Sequence, residues 1–376
     1  MKAVVRHIDI PQGRRLLAIS DIHGNLPWLK ALLAKAEFSR EDILVLVGDM
    51  VEKGPESLAT LRYIMDLSRD HTVYPLCGNC DNLAVDLVDG GMELGRDFFR
   101  YYLKVWKQRA LIVQMAEEAG FAIGSHEDLP ALREVLRERF APELDFLRAM
   151  PTIIESQGFV FVHGGVPSYE GMEELDAWSC MKNDDFMGQG RSFPKYCVVG
   201  HWPVTLYRTG APCADPIIDR ARKIASIDGG CVLKRDGQLN ALVIPGPHSE
   251  DLSWVRYDDC PVFRALDAQA ESTEPFSIRW TDHDVEVLDR GEEFSTVRHK
   301  STGRTLRVLT RYLQNRGGQD WCDDTTDYRL GVEPGDPLSV VERTSQGCLV
   351  KKDGVTGWYF GRLQPSLTGE GGTAEP

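Results

Sequence analysis

The chain has 376 residues, 42% hydrophobic and 27% charged, an ordinary globular composition long enough for about two domains. Its formal net charge of −14 excludes a protein that holds nucleic acid by bulk electrostatics, so an anionic substrate has to be met by a local positive centre. No apolar run approaches the roughly 20 residues of a membrane span. Charges interrupt the N-terminal residues where a signal peptide would be apolar, and nine cysteines, an odd number, suit a reducing cytoplasm better than a disulfide framework.

In chain order, five segments share one pattern: a short apolar run followed at once by a polar loop carrying Asp, His or Asn. Residues 15–25 (RLLAISDIHGN) bring Asp21 and His23, residues 41–50 (EDILVLVGDM) bring Asp49, and residues 72–82 (TVYPLCGNCDN) bring Asn79. Residues 158–165 (GFVFVHGG) and 196–203 (YCVVGHWP) add His163 and His201. Such runs read as strands buried on both faces, and helical patterns over Leu26 to Ala36 and Ser57 to Leu67 separate the first three. This alternation predicts a largely parallel central sheet with all five polar loops beyond one edge of it.

Two aspartates, three histidines and an asparagine amide are hard and borderline donors that suit Mn, Fe or Zn. Asp21 and His23 are two apart and so point the same way in an extended segment, and a carboxylate such as Asp49 can bridge two ions. Two dications against two aspartates would leave a positive centre in an acidic protein. Taken singly, each residue reads equally well as a helix cap or turn former. That reading has to hold at five strand ends at once, which is where it fails.

The CxxC at Cys77 and Cys80 invites a redox or structural-zinc reading. It straddles Gly78 and Asn79 rather than opening a thioredoxin-like helix, and no second CxxC completes a four-ligand zinc site. Cys77 instead continues a buried strand end.

Asp21-Ile-His23-Gly24-Asn25, the run from Gly48-Asp49 to Gly54-Pro55, Gly78-Asn79-Cys80-Asp81, His163-Gly-Gly165 and Gly200-His201 together resemble the calcineurin-like metallophosphoesterases, in the right order over roughly residues 14–245. Within that family the segments look closest to the bacterial Ser/Thr protein phosphatases and diadenosine tetraphosphate hydrolases. The resemblance implies an α/β fold, a β-sandwich of two mixed sheets flanked by helices, with two divalent transition metal ions, Mn favoured over Fe or Zn. Asp21 and His23 would bind the first ion, Asp49 would bridge, and Asn79, His163 and His201 would bind the second. A metal-bound hydroxide would attack phosphorus. Some members carry a second His two places after Gly-His; Pro203 stands there in this chain, leaving the first ion one protein donor short.

Two departures bear on chemistry. Cys80 occupies the place of the His taken to protonate the leaving oxygen, with Asp81 following it; a thiol is the poorer acid partner. Catalytic roles are therefore expected of Cys80, Asp81 and Lys53, the last standing where the phosphatases usually show Arg. Substrates implied are phosphomonoesters or nucleotide polyphosphates, as a phosphorylated small molecule, a nucleotide or a phosphoprotein. The alternatives are a phosphodiesterase, because relatives with Gly-Asn-Cys-Asp look like phosphodiesterases, or a partner-binding scaffold.

Residues 90–150 are helical and amphipathic, an insertion on a catalytic domain spanning 1–247. A linker over 248–280 is expected to lead to short alternating strands over 281–365 that resemble an SH3-like barrel, and residues 366–376 to form a disordered tail. Trp358, Tyr359 and Phe360 fit either a peptide-binding face for a protein partner or the barrel's own core.

Overall fold

The structure is a computed structural model describing residues 1–90 and 96–365; the expected tail over 366–376 lies outside the described residues. The chain divides into two compact units, one built from residues 1–204, 215–233 and 237–258, the other from 205–214, 234–236 and 259 onward. No helix among the described residues is long and apolar enough to cross a membrane.

The first unit runs β1 (Val5–His7), β2 (Leu16–Ile19), α1 (Leu26–Lys35), β3 (Ile43–Val47), α2 (Ser57–Asp70), β4 (Thr72–Leu76) and α3 (Asn79–Asp89). Helices α4 (Arg96–Val105), α5 (Leu111–Ala119), α6 (Leu129–Arg139) and α7 (Ala141–Arg148) follow, then β5 (Ile153–Glu155), β6 (Phe159–Val162), α8 (Ala177–Met181) and β7 (Tyr196–Val199). Strands β8 (Ile217–Asp219), β9 (Ile224–Ser226), β10 (Leu239–Ile244) and β11 (Ser253–Tyr257) close the unit.

These strands form two mixed sheets, ordered β1-β5-β6-β7-β9-β8 and β11-β10-β2-β3-β4. The five ligand-bearing strands are thus not neighbours in one sheet: β2, β3 and β4 pair in parallel in the second sheet, while β6 and β7 pair in parallel in the first. The largely parallel central sheet expected from strand–helix alternation is corrected accordingly, while the two mixed sheets implied by the family resemblance are present. Helices α1 and α2 cross between β2, β3 and β4, but β5 and β6 form an antiparallel pair that joins the other layer beside β1.

Residue alternation shows why the layers stack. Leu16, Ala18, Ile43, Val45 and Val47 enter one core cluster with Phe161, Val198 and Ala225 of the opposing sheet, whereas Leu17, Ile19, Leu44 and Leu46 pack with Leu29, Leu32, Leu61 and Ile64 of α1 and α2. A strand sandwiched this way has no polar face, which is why the runs read as continuously apolar.

The helical stretch after α3 is fastened by arginines. Arg133 and Arg137 each donate at 2.7 Å to the carbonyls of Leu87 and Val88 at the end of α3. Arg148 grips Asp89 with both arms of its guanidinium, and Arg62 of α2 bridges Glu118 and Glu143. Cations at a helix C-terminus satisfy its open carbonyls and oppose its dipole, so these side chains are structural ties.

The second unit is all-β. Strands β12 (Val262–Ala265), β20 (Pro337–Arg343), β21 (Cys348–Lys352), β22 (Val355–Tyr359) and β23 (Leu363–Pro365) form a five-stranded sheet ordered β22-β21-β20-β12-β23. β14 (Val285–Asp289), β15 (Phe294–His299) and β16 (Thr305–Leu309) form a three-stranded meander; β13 (Ser277–Ile278) pairs with β19 (Thr325–Thr326), and β17 (Leu313–Arg316) with β18 (Gln319–Cys322). Residues 248–280, expected as a linker, instead carry β11, β12 and β13. β11 and β12 are short and half-exposed, and their polar residues hide the pattern of a strand. Trp358 and Tyr359 are buried, Trp358 donating to the Thr326 carbonyl at 2.9 Å and Tyr359 to that of Asp267 at 2.8 Å. They pack the unit's own core and leave only Phe360 exposed.

Candidate metal centre

Each predicted donor stands just past a strand or at a helix start: Asp21 and His23 after β2, Asp49 after β3, Asn79 opening α3 after β4, His163 after β6 and His201 after β7. Backbone hydrogen bonds lock the first two loops together, His23 donating to the Asp49 carbonyl at 2.9 Å and Gly24 to that of Met50 at 2.8 Å. Four of the six donors, Asp21, His23, Asp49 and His201, sit in left-handed backbone with φ of 53°, 49°, 51° and 65°. Such conformations cost about 1 kcal/mol or more each and concentrate where geometry serves function.

Glycines permit the close approaches. A Cβ on Gly54 would lie 1.7 Å from the His23 carbonyl oxygen, and one on Gly78 would lie 2.3 Å from both the amide nitrogen and Oδ1 of Asp49.

Asp49 is the hub. Its Oδ1 lies 3.2 Å from His163 Nε2, short of hydrogen-bond alignment, and accepts the Cys80 amide at 2.8 Å. Its Oδ2 lies 3.9 Å from His23 Nε2 and 4.0 Å from Lys53 Nζ, and His23 Nε2 is 3.8 Å from Asp21 Oδ1. Two donor triads share Asp49: Asp21, Asp49 and His163, and His23, Asp49 and Cys80, the ligand atoms within each lying no more than 4.8 Å apart. His163 Nδ1 faces the Val47 carbonyl at 2.9 Å, an arrangement that makes Nδ1 the donor and turns Nε2 toward Asp49.

His201 joins differently. Its backbone N–H donates to Asp21 Oδ2 at 3.0 Å and its ring lies edge-on to that of His163, with 5.2 Å between centroids. Its Nε2 is engaged by Asp184 Oδ1 at 2.7 Å, leaving Nδ1 as the nitrogen that could serve an ion. Asn79 turns its amide nitrogen to Cys80 Sγ at 3.4 Å, and its Oδ1 has no partner.

Burial sets the electrostatics. It pushes the Asp21 carboxyl up to about 6, and with Lys53 nearby takes His23 down to about 3. It would also neutralise Asp49, but His163, Lys53 and His23 outweigh it and hold that carboxyl well below its ordinary range. His163 moves the opposite way: burial would lower it, yet Asp49 and Asp21 push it up to about 10. Burial and His163 take His201 down to about 4.

The residues fit a metal centre on one physical observation. His23 Nε2, His163 Nε2 and Asn79 Oδ1 are buried and have no hydrogen-bond partner. Orphaned polar atoms of this kind cost about 1–3 kcal/mol each, and here the two ring nitrogens converge on the ionised Asp49 carboxylate. His23 and His163 would hold ions through Nε2, Asn79 through Oδ1 and Asp49 through both oxygens.

Of the three residues expected to have catalytic roles, Lys53 faces Asp49 and keeps a quarter of its side chain exposed. Asp81 is corrected to a brace. It is fully buried, its Oδ1 accepts the amides of Met50 at 3.0 Å and Val51 at 3.3 Å, and its Oδ2 accepts that of Gly78 at 2.9 Å. It ties the Asp49 loop to the start of α3. The Cys80 thiol is buried, and burial together with Asp49 pushes it well above its ordinary range, so it is a poor proton donor.

Sequence reasoning missed Asp184, Glu52 and Asp228. Burial pushes Glu52 up to about 8, and it accepts Tyr102 Oη at 2.8 Å and the Leu111 amide at 3.2 Å, fastening the helical insertion to the residue beside Lys53. Asp228 is fully buried with an unpartnered Oδ2, and the charge of nearby Asp21 adds to burial in holding it protonated. The signal was available: Ile224–Ser226 and Asp228 repeat the apolar-run-then-Asp pattern a sixth time.

Comparison with known proteins shows the family. The calcineurin-like phosphoesterase family matches residues 14–220, more than half of the chain, and the chain belongs to that family. It is 32% identical over 154 residues to a symmetrical bis(5'-nucleosyl)-tetraphosphatase of Pseudomonas entomophila, covering 40% of this chain and 42% of that protein. A namesake from Hamiltonella defensa is 50% identical over 52 residues, 14% of this chain and 19% of that protein. The chain thus spans less than half the length of these curated relatives. Among solved structures it is similar to a protein serine/threonine phosphatase from Saccharomyces cerevisiae, with a TM-score of 0.42 and 10% identity over 68% of this chain and 84% of that one.

Proposed function

We propose that the first unit is a dinuclear-metal phosphoester hydrolase acting on nucleotide polyphosphates or phosphomonoesters, with Asp21, His23, Asp49, Asn79, His163 and His201 as the metal ligands. The observation that carries this is the set of buried, unpartnered donor atoms around Asp49. Two bound divalent ions would polarise phosphoryl oxygens and supply a hydroxide nucleophile from water at neutral pH. The chain's own residues hold the geometry: Asp81 and Gly78 seat Asn79 beside Asp49, Asp184 orients His201, and Lys53 offers an ammonium to the phosphate.

The absence of a competent acid at Cys80 favours leaving groups that need no proton. A nucleoside phosphate released from a polyphosphate chain is such a group, whereas a serine or threonine alkoxide is not. The curated relatives named as tetraphosphatases support the same preference. The test is to load the chain with Mn²⁺ or Zn²⁺ and compare diadenosine tetraphosphate with a phosphoserine peptide. Preferred cleavage of the dinucleotide is expected, and faster turnover of the peptide would overturn the reading. Cys80 also favours a second reading, a phosphodiesterase, which a strong preference for bis-p-nitrophenyl phosphate over p-nitrophenyl phosphate would establish. A cytoplasmic location belongs to the same proposal.

A further inference from the structure

We infer that Cys80 is itself a metal ligand, a sulfur donor to the ion held by His23 and Asp49. The inference rests on the dinuclear reading above. Cys80 Sγ, a His23 ring nitrogen and an Asp49 oxygen lie within 4.8 Å of one another, and all three residues are buried. One ion bonding at about 2.0–2.3 Å to nitrogen, oxygen and sulfur can close such separations with small side-chain adjustments. The second, independent observation is His23 Nε2, which is fully buried, has no hydrogen-bond partner and faces both Asp21 and Asp49.

The Cys80 amide donates to Asp49 Oδ1 at 2.8 Å, so the backbone that carries the thiol is held against the carboxylate shared by both triads. Among the described residues, Cys80 Sγ is the cysteine sulfur that lies this close to the donor atoms of His23 and Asp49. Coordination takes the thiol proton to solvent and leaves thiolate on the metal, the ordinary exchange when a cysteine binds a dication. A thiolate softens the site, so the chain should prefer Zn²⁺ or Fe²⁺ to Mn²⁺. It also removes Cys80 from proton transfer, consistent with substrates whose leaving groups need no acid.

The experiment is X-ray absorption at the zinc edge on the full chain loaded with two equivalents of Zn²⁺. The expected spectrum contains a sulfur shell at about 2.3 Å, averaging about half a sulfur per zinc, beside nitrogen and oxygen at about 2.0–2.1 Å. Cys80→Ser should lose that shell while the other eight cysteines stay in place, and its preference for Zn²⁺ over Mn²⁺ in competition should fall at least about tenfold. Cys80→Ala provides the same readout if the serine variant fails to fold. Two bound zinc ions with only nitrogen and oxygen neighbours would overturn the ligand assignment and leave the proposed function standing. A sulfur shell that survives both substitutions would also overturn it. A chain that binds no transition metal at all would overturn the assignment and the proposed function together.

Discussion

Gly54→Ala tests how tightly the two loops of the site are locked. The new Cβ would lie 1.7 Å from the His23 carbonyl oxygen and 3.1 Å from the Gly24 carbonyl carbon, both backbone atoms that no rotamer change can clear. Contact needs more than 3 Å, so the Gly54 and His23 segments must part by over an ångström. Forced expansion of a packed site costs about 1–3 kcal/mol and occasionally more, and the strain here falls on backbone, at the upper end of that range. A less flexible unfolded chain offsets about 0.4–1 kcal/mol, leaving a net loss of about 2–3 kcal/mol. Gly13→Ala is the control: φ is +79° there with open space around the position, so it carries only the left-handed penalty of about 1–2 kcal/mol less the same offset. Thermal unfolding monitored by circular dichroism should show Gly54→Ala melting about 4–12 °C below wild type, at about 2–4 °C per kcal/mol for a unit of this size. Gly13→Ala should fall by only a few degrees. If Gly54→Ala proved no more costly than Gly13→Ala, backbone crowding would not be what fixes the distance between His23 and Asp49.

Other substitutions separate the roles of neighbouring groups. Asp49→Asn replaces one carboxylate oxygen of the residue shared by both donor triads and removes its charge, so elemental analysis after equilibration with Zn²⁺ should find at most one ion per chain; two retained ions would contradict the hub assignment. Tyr102→Phe takes a donor from the buried Glu52 carboxyl and should cost about 1–3 kcal/mol in denaturant unfolding, with no change meaning that the insertion is not fastened there. The Asp42 carboxyl is held below its ordinary value against the opposing effect of burial, through Arg15 and Ser39. Its contribution is therefore present above that ordinary value and lost as pH falls through the lowered one. Asp42→Asn should cost about 2 kcal/mol at pH 7 and flatten the acid limb of the stability curve, whereas an unchanged limb would assign acid unfolding to other carboxylates.

Much of the site was legible because buried strands leave a strong mark. Four or five apolar residues in a row, then Asp, His or Asn, can be recognised without knowing which sheet the strand joins. Sheet membership was not legible: whether β6 pairs beside β4 or joins a second layer depends on the antiparallel β5–β6 pair, whose residues look like any other apolar run. Asp81 was expected to be catalytic because it follows the position of the proton-donating His in the resemblance, yet three amides from two loops consume its oxygens. Asp184 escaped notice because nothing local marks a carboxylate that will meet a histidine 17 residues on. The stretch over 248–280 was misread because β11 and β12 are short and half-exposed, and such strands carry little periodic signal.

The left-handed backbone at Asp21, His23, Asp49 and His201 sets the interests of the fold against those of the site. At about 1 kcal/mol apiece, these four positions withhold an amount comparable to a large share of the 5–15 kcal/mol that typically keeps a domain folded. A library screened only for yield or heat tolerance would therefore reward glycine at the donor positions themselves and converge on a sturdier but inert protein. Engineering of this chain has to score turnover in the same round as melting temperature.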